Sequence, residues 1–97
     1  MARYDLHQLG KTLVLDVQAP LVDFLTTRVV IPLALEAKAP RPIGELNPVF
    51  TLQGETYVLQ TQALATVPLK ELGKAMGSLD AHHDEIAKAL DLLLTGF

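Results

Sequence analysis

The stretch that decides the fold is Leu13-Val14-Leu15-Asp16-Val17-Gln18-Ala19-Pro20-Leu21-Val22-Asp23-Phe24-Leu25-Thr26-Thr27-Arg28-Val29-Val30-Ile31-Pro32-Leu33-Ala34. Its first part, from Thr12 to Gln18, is rich in β-branched and apolar residues and is stopped by Pro20, the signature of a strand. Its last part, Arg28 to Leu33, is almost wholly apolar. Six residues make a marginal helix, so this run is expected to be a strand buried on both faces. Pro32 inside it predicts a bend, an edge or a barrel corner. Between the two strands lies an apolar loop, Leu21 to Leu25. Phe24 and Leu25 are expected to plug one end of a barrel, since large apolar side chains favour the interior.

Further along, Ala39-Pro40-Arg41-Pro42-Ile43-Gly44 is dense in Pro and Gly and reads as a loop. Pro48–Leu52 and Thr56–Thr61 alternate around Gln53-Gly54-Glu55, which predicts a hairpin. A further short strand is expected between Ala63 and Leu69, interrupted by Pro68. After Ser78 the period changes. Asp80 is a candidate N-cap, and Asp84 and Glu85 suit the positive end of a helix dipole. Ile86, Leu90, Leu93 and Phe97 then fall on one helical stripe. The expected order is five or six short strands and one terminal helix, a bent antiparallel sheet or barrel.

The bulk numbers narrow the function classes. A chain of 97 residues is expected to form one domain, residues 1–97, with a small core. Its 49% apolar content and mean hydropathy of +0.29 suggest surface meant for a partner, such as a second copy. A net charge of −3 and a pI near 5.4 disfavour a protein that holds nucleic acid directly. There is no cysteine, hence neither disulfide nor thiolate metal site. No apolar run approaches a membrane span and no secretory leader is visible, so a cytoplasmic protein is expected. Asp80-Ala81-His82-His83-Asp84-Glu85 invites a metal reading. Helix-end capping accounts for the acids, and neither metal nor cofactor is expected. Ser78 and Thr66 lack a partner base and read as turn or capping residues. Glu36, Glu45, Glu55 and Glu71 are scattered on presumed loops.

The same residues carry a resemblance. Leu13 to Ala34 resembles the LFVDVQ…IID…R-MVIPLA region of the CcdB-type toxins of bacterial toxin–antitoxin pairs. Glu45-Leu46-Asn47-Pro48-Val49-Phe50 resembles their EL-PV segment, Ala65-Thr66-Val67-Pro68 an A-S-V-P turn, and the ending ALDLLLTGF their A-I-N-L-x-x-W-G-I end. Only the first dozen residues and Leu35–Gly44 match poorly. The resemblance implies a homodimer with an SH3-like, Kid/CcdB-type antiparallel barrel and a C-terminal helix. It also implies a protein with no catalytic residues that enters the DNA gyrase A subunit and traps it on cleaved DNA. A CcdA-like antitoxin would neutralise it and co-repress the operon with it, so nucleic acid is met only through gyrase or antitoxin.

Carried over residue by residue, the gyrase contact implied by the resemblance comprises Leu21, Val22, Asp23, Asp91, Thr95, Gly96 and Phe97. Gly96, the Leu21–Val22 pair and Asp23 match. Phe97 replaces Ile and Asp91 replaces Asn. Thr95 stands where the plasmid-type toxin has a Trp that stacks on a gyrase arginine. A lost Trp contact of that kind costs about 2–4 kcal/mol, of which cation–π attraction supplies about 2. Two other readings stand beside this one: a MazF/Kid-like ribonuclease toxin on the same barrel, and an inactive relative that only binds antitoxin.

Overall fold

The centre of the molecule is the apolar run around Ile31. In a computed structural model, which describes residues 2–96, it forms the nine-residue strand β3, Thr27–Leu35. Before it come β1 (Asp5–Leu9) and β2 (Thr12–Asp16). After it come β4 (Val49–Leu52), β5 (Glu55–Leu59), β6 (Ala65–Pro68), β7 (Ala75–Ser78) and one helix, α1 (His83–Thr95). All strand pairs are antiparallel, in the order β4-β5-β3-β2-β1-β7, with β6 also on β3. The sheet curls into a half-barrel whose free edges are β4 and β7.

β3 holds this together by having two partners on one edge. Its first half pairs with β6, from Thr27 opposite Pro68 to Val30 opposite Ala65. Its second half pairs with β5, from Leu33 opposite Leu59 to Leu35 opposite Tyr57. Pro32 sits at the handover. Its carbonyl accepts from Gln60 N–H at 2.9 Å, so its missing N–H faces the gap between the two partners, where little is lost. The expected barrel corner is therefore real, and Pro32 marks it. Adjacent Val30 and Ile31 are both buried, as a strand covered on both faces requires.

One face of the sheet closes over Tyr4, Leu6, Leu15, Val17, Ile31, Leu33, Phe50 and Leu59, and α1 covers this core with Ile86. Ala89 is buried beside it, and Leu90 and Leu93 of the expected stripe are half-buried. Phe97, its last member, lies outside the described residues. The hairpin turn is tighter than the sequence suggested. Two residues, Gln53 (φ +50°) and Gly54 (φ +82°), join Leu52 to Glu55, the paired positive angles of a type I′ turn.

Three expectations are corrected. β1 and β7 add to the predicted strand count. Asp80 is not the helix N-cap: it opens a single tight turn, Asp80–His82, and its N–H donates to Ser78 Oγ at 3.1 Å. Phe24 and Leu25 do not plug the barrel, being 76% and 41% exposed. The ground beneath their loop is taken by polar groups, described next, which leaves no apolar pocket to enter.

The opposite face of β2 and β3 buries Asp16 and Arg28. Arg28 Nε stands 3.7 Å from Asp16 Oδ2, within Coulomb reach but too long for a hydrogen bond. Asp16 Oδ1 accepts from Gln18 N–H at 2.9 Å. Burial pushes the Asp16 carboxyl above its usual 3.8; the Gln18 N–H, Arg28 and His7 pull it back only in part, and Asp5 adds to the rise. The folded chain thus holds this proton more tightly than the unfolded chain. Asp16 favours folding most at acid pH, and its contribution falls as pH rises through the folded value. A 13C NMR titration should place the Asp16 midpoint above 3.8, and a midpoint below that value would mean Arg28 dominates. Asp16→Ala strands the Arg28 charge in the interior and should cost roughly 3–5 kcal/mol in urea unfolding; a loss under about 1 kcal/mol would show the pair to be dispensable.

Candidate functional site

The residues singled out by sequence fall in two places. Pro20–Val22 forms one tight turn, closed by the Asp23 N–H on the Pro20 carbonyl at 3.1 Å and the Val22 N–H on the Ala19 carbonyl at 3.1 Å. Pro20 at its first position supplies a fixed φ and needs no donor. Leu21 is 87% exposed, Asp23 is exposed and Val22 is half-buried. With Phe24 and Leu25 alongside, this loop presents an apolar surface that no described residue covers.

The second place is the last turn of α1. Asp91, Leu94, Thr95 and Gly96 are all exposed. Gly96 ends the helix in the left-handed region, φ +82°, where its N–H reaches the Asp91 and Leu92 carbonyls, both at 3.1 Å. A side chain is strained there, which explains glycine at this position. The Thr95 hydroxyl donates to the Asp91 carbonyl at 2.7 Å, so its one proton goes to the helix's own backbone and none is left for a partner. Phe97 lies outside the described residues.

Asp91, Thr95 and Gly96 are thus gathered on one turn, and Leu21, Val22 and Asp23 on another. The helix packs mainly on the turns at Gly44–Leu46 and Thr61–Ala63, not on the Pro20–Val22 turn. An exposed ion pair, Lys88 Nζ to Glu45 Oε2 at 3.1 Å, spans the helix and the Gly44–Leu46 turn.

Sequence reasoning passed over a groove on the half-barrel, about 930 Å³, between the free edges. Leu13, Leu33 and Leu52 line it with Lys11, Lys38 and Tyr57. Tyr57 Oη donates to Glu55 Oε2 at 3.2 Å, and desolvation and that carboxylate push the phenol above 10.0. It keeps its proton at neutral pH. No motif marked the groove, because its lining comes from six separate strands and the turns between them.

The candidate metal cluster is engaged in packing. His82 lies against Phe50 with ring centres 4.9 Å apart and bonds Glu85 at 3.2 Å; His83 meets the Tyr4 ring edge-on at 5.2 Å. Among the described residues no three His, Asp or Glu side chains converge as metal ligands, and no helix is long and apolar enough to cross a membrane.

Comparison with known structures finds the same fold in toxins. One from Mtb is 20% identical, covering 92% of this chain and 99% of its own, with a TM-score of 0.77. The Mycobacterium tuberculosis toxin MazF-mt6 is 21% identical over 95% of each chain, TM-score 0.75. An endoribonuclease solved with its cognate antitoxin, from a mycobacterial species, is 20% identical over 97% of this chain and 94% of its own, TM-score 0.78. These neighbours correct one expectation. A protein described as an endoribonuclease is built on this same half-barrel, so the implied absence of enzymatic activity does not stand. The profile of the CcdB protein family matches residues 3–96. With that match over almost the whole chain, and with a curled antiparallel sheet carrying a C-terminal helix, the chain belongs to the CcdB protein family, a CcdB-type toxin by sequence and fold.

Proposed function

We propose that this toxin acts on the DNA gyrase A subunit and holds the enzyme on cleaved DNA. The observation that carries the reading is the bare last turn of α1, where Asp91, Thr95 and Gly96 sit exposed on a capped helix end, the place at which the CcdB resemblance puts the gyrase contact. Leu21, Val22 and Asp23 are proposed as a second contact surface, and Phe97, next in sequence to Gly96, as a further contact residue. Within one chain the two surfaces lie on separate turns, so a homodimer is proposed in which a second copy brings them to a common two-fold axis. A CcdA-like antitoxin is the proposed neutralising and co-repressing partner; one neighbour of the same fold was solved with its own antitoxin. Action on gyrase places the protein in the cytoplasm.

A second reading, ribonuclease activity, is favoured by the endoribonuclease of the same fold and by the groove with its two lysines. A protonated Tyr57 there can donate a proton but is a poor base.

Purified toxin mixed with gyrase and supercoiled DNA should accumulate cleaved DNA. Absence of cleavage at large toxin excess sinks the gyrase assignment, and breakdown of bulk RNA by the pure protein would install the ribonuclease reading. A chain that neither cleaves RNA nor slows growth without antitoxin is an inactive relative. Deleting Thr95 to Phe97 should abolish cleavage complexes while antitoxin binding persists. Thr95→Trp gives up a hydrogen bond internal to the helix, a stability effect of about 1 kcal/mol, and gains a stacking face worth about 2 in binding. Its effect on enterobacterial gyrase should be tighter binding by roughly thirtyfold in surface plasmon resonance; unchanged or weaker binding would remove residue 95 from the interface.

A further inference from the structure

The exposed loop at Leu21 is held from below by side chains that the gyrase contact does not itself use. Gln18, 9% exposed, splits its amide between two segments: Oε1 accepts from Val29 N–H of β3 at 3.0 Å, and Nε2 donates to the Val22 carbonyl at 2.9 Å. Arg28, 4% exposed, donates from Nη2 to the next carbonyl, that of Asp23, at 2.9 Å. Two consecutive carbonyls of one exposed turn are therefore bonded by two buried side chains, Gln18 from the segment just after β2 and Arg28 from β3. Asp16 sits behind both, accepting the Gln18 N–H at 2.9 Å and opposing the Arg28 charge at 3.7 Å.

We propose that Gln18 and Arg28 are positioning residues for target binding, clamping the Val22 and Asp23 carbonyls so that Leu21, Val22 and Asp23 are presented in one fixed arrangement. The inference rests on the reading that this loop touches gyrase. The chemistry is specific. A turn with outward carbonyls and large exposed apolar side chains is prone to collapse onto nearby apolar surface, and ordering it on binding would weaken affinity. Here its carbonyls point inward to buried donors, so its apolar side chains point out. Gln is required because one amide offers an acceptor and a donor at opposite edges, and Arg because its fork opposes Asp16 through Nε while Nη2 reaches the loop.

Two variants separate this role from simple stability. Gln18→Met keeps length and shape but has no donor. Arg28→Lys keeps the charge facing Asp16 but loses the fork. Leu59→Val, a core change remote from the loop, serves as a control for destabilisation. At a temperature where all four proteins are fully folded, the first two variants should need roughly tenfold more toxin for half-maximal gyrase cleavage. Their Val22, Asp23 and Leu25 amides should exchange with solvent faster by a similar factor, while the control matches wild type in both. Wild-type potency in Gln18→Met and Arg28→Lys, or unchanged exchange in the loop, overturns the clamp. Loss of potency in the control to the same degree does so too, because stability would then explain all three. Failure of the wild-type protein to trap gyrase is a different result: it removes the target, and with it a positioning role towards that target, whatever the exchange rates.

Discussion

Everything in this molecule hangs on one strand serving two partners along one edge. β3 gives its first half to β6 and its second half to β5, while β2 pairs along its other edge from Val30 to Leu33. A regular strand would have an N–H pointing into the space where those partners change, unpaired and partly shielded from water. Proline removes that donor, and an interruption normally confined to edge strands becomes tolerable in the middle of a sheet. The curl of the sheet follows, and with it the concave face that receives Ile86 of the helix.

How legible this was depends on what holds each element. The centre could be read because its cause is local: Arg28 to Leu33, with Val, Ile and Leu on both faces, has few other destinations, although the strand runs further, from Thr27 to Leu35. The Asn-free hairpin at Gln53-Gly54 was visible through its glycine and its alternation. β1 and β7 were not. Asp5-Leu6-His7-Gln8-Leu9 carries no β-branched residue, and Ala75-Met76-Gly77-Ser78 is exposed along its whole length. Neither advertises a strand, because each is held by backbone bonds to a neighbour already in place, across a bulge between Leu6 and His7. The Asp80 expectation failed because a single tight turn, Asp80–His82, precedes the helix, which begins at His83 with no side chain capping it.

The candidate site was legible in part, and along a clear division. Gly96 announced itself, since a glycine after a helical stripe is a common way to end a helix. The family resemblance supplied the apolar pair at Leu21 and Val22, which composition alone would have sent inward, as it sent Phe24 and Leu25. What sequence could not convey is that Asp16, Gln18 and Arg28 form a polar floor beneath them; alternation in β2 says which residues share a face but not that the face is covered. The groove between β4 and β7, and the endoribonuclease built on the same fold, show how little of the chemistry the barrel itself decides.

The pairing of β1 with β7 also orders events in time. Leu6 stands opposite Gly77, about 70 residues later in the chain, and the Tyr4 carbonyl accepts from Leu79 N–H at 2.8 Å. β1 thus cannot pair along its outer edge until the residues from Leu6 to Gly77 have been made, on the order of 4–14 s at ordinary elongation rates. Only then does α1 arrive to seal the core. The closure of β1 on β7 is therefore the most non-local pairing in the sheet, and it joins two segments that synthesis delivers seconds apart.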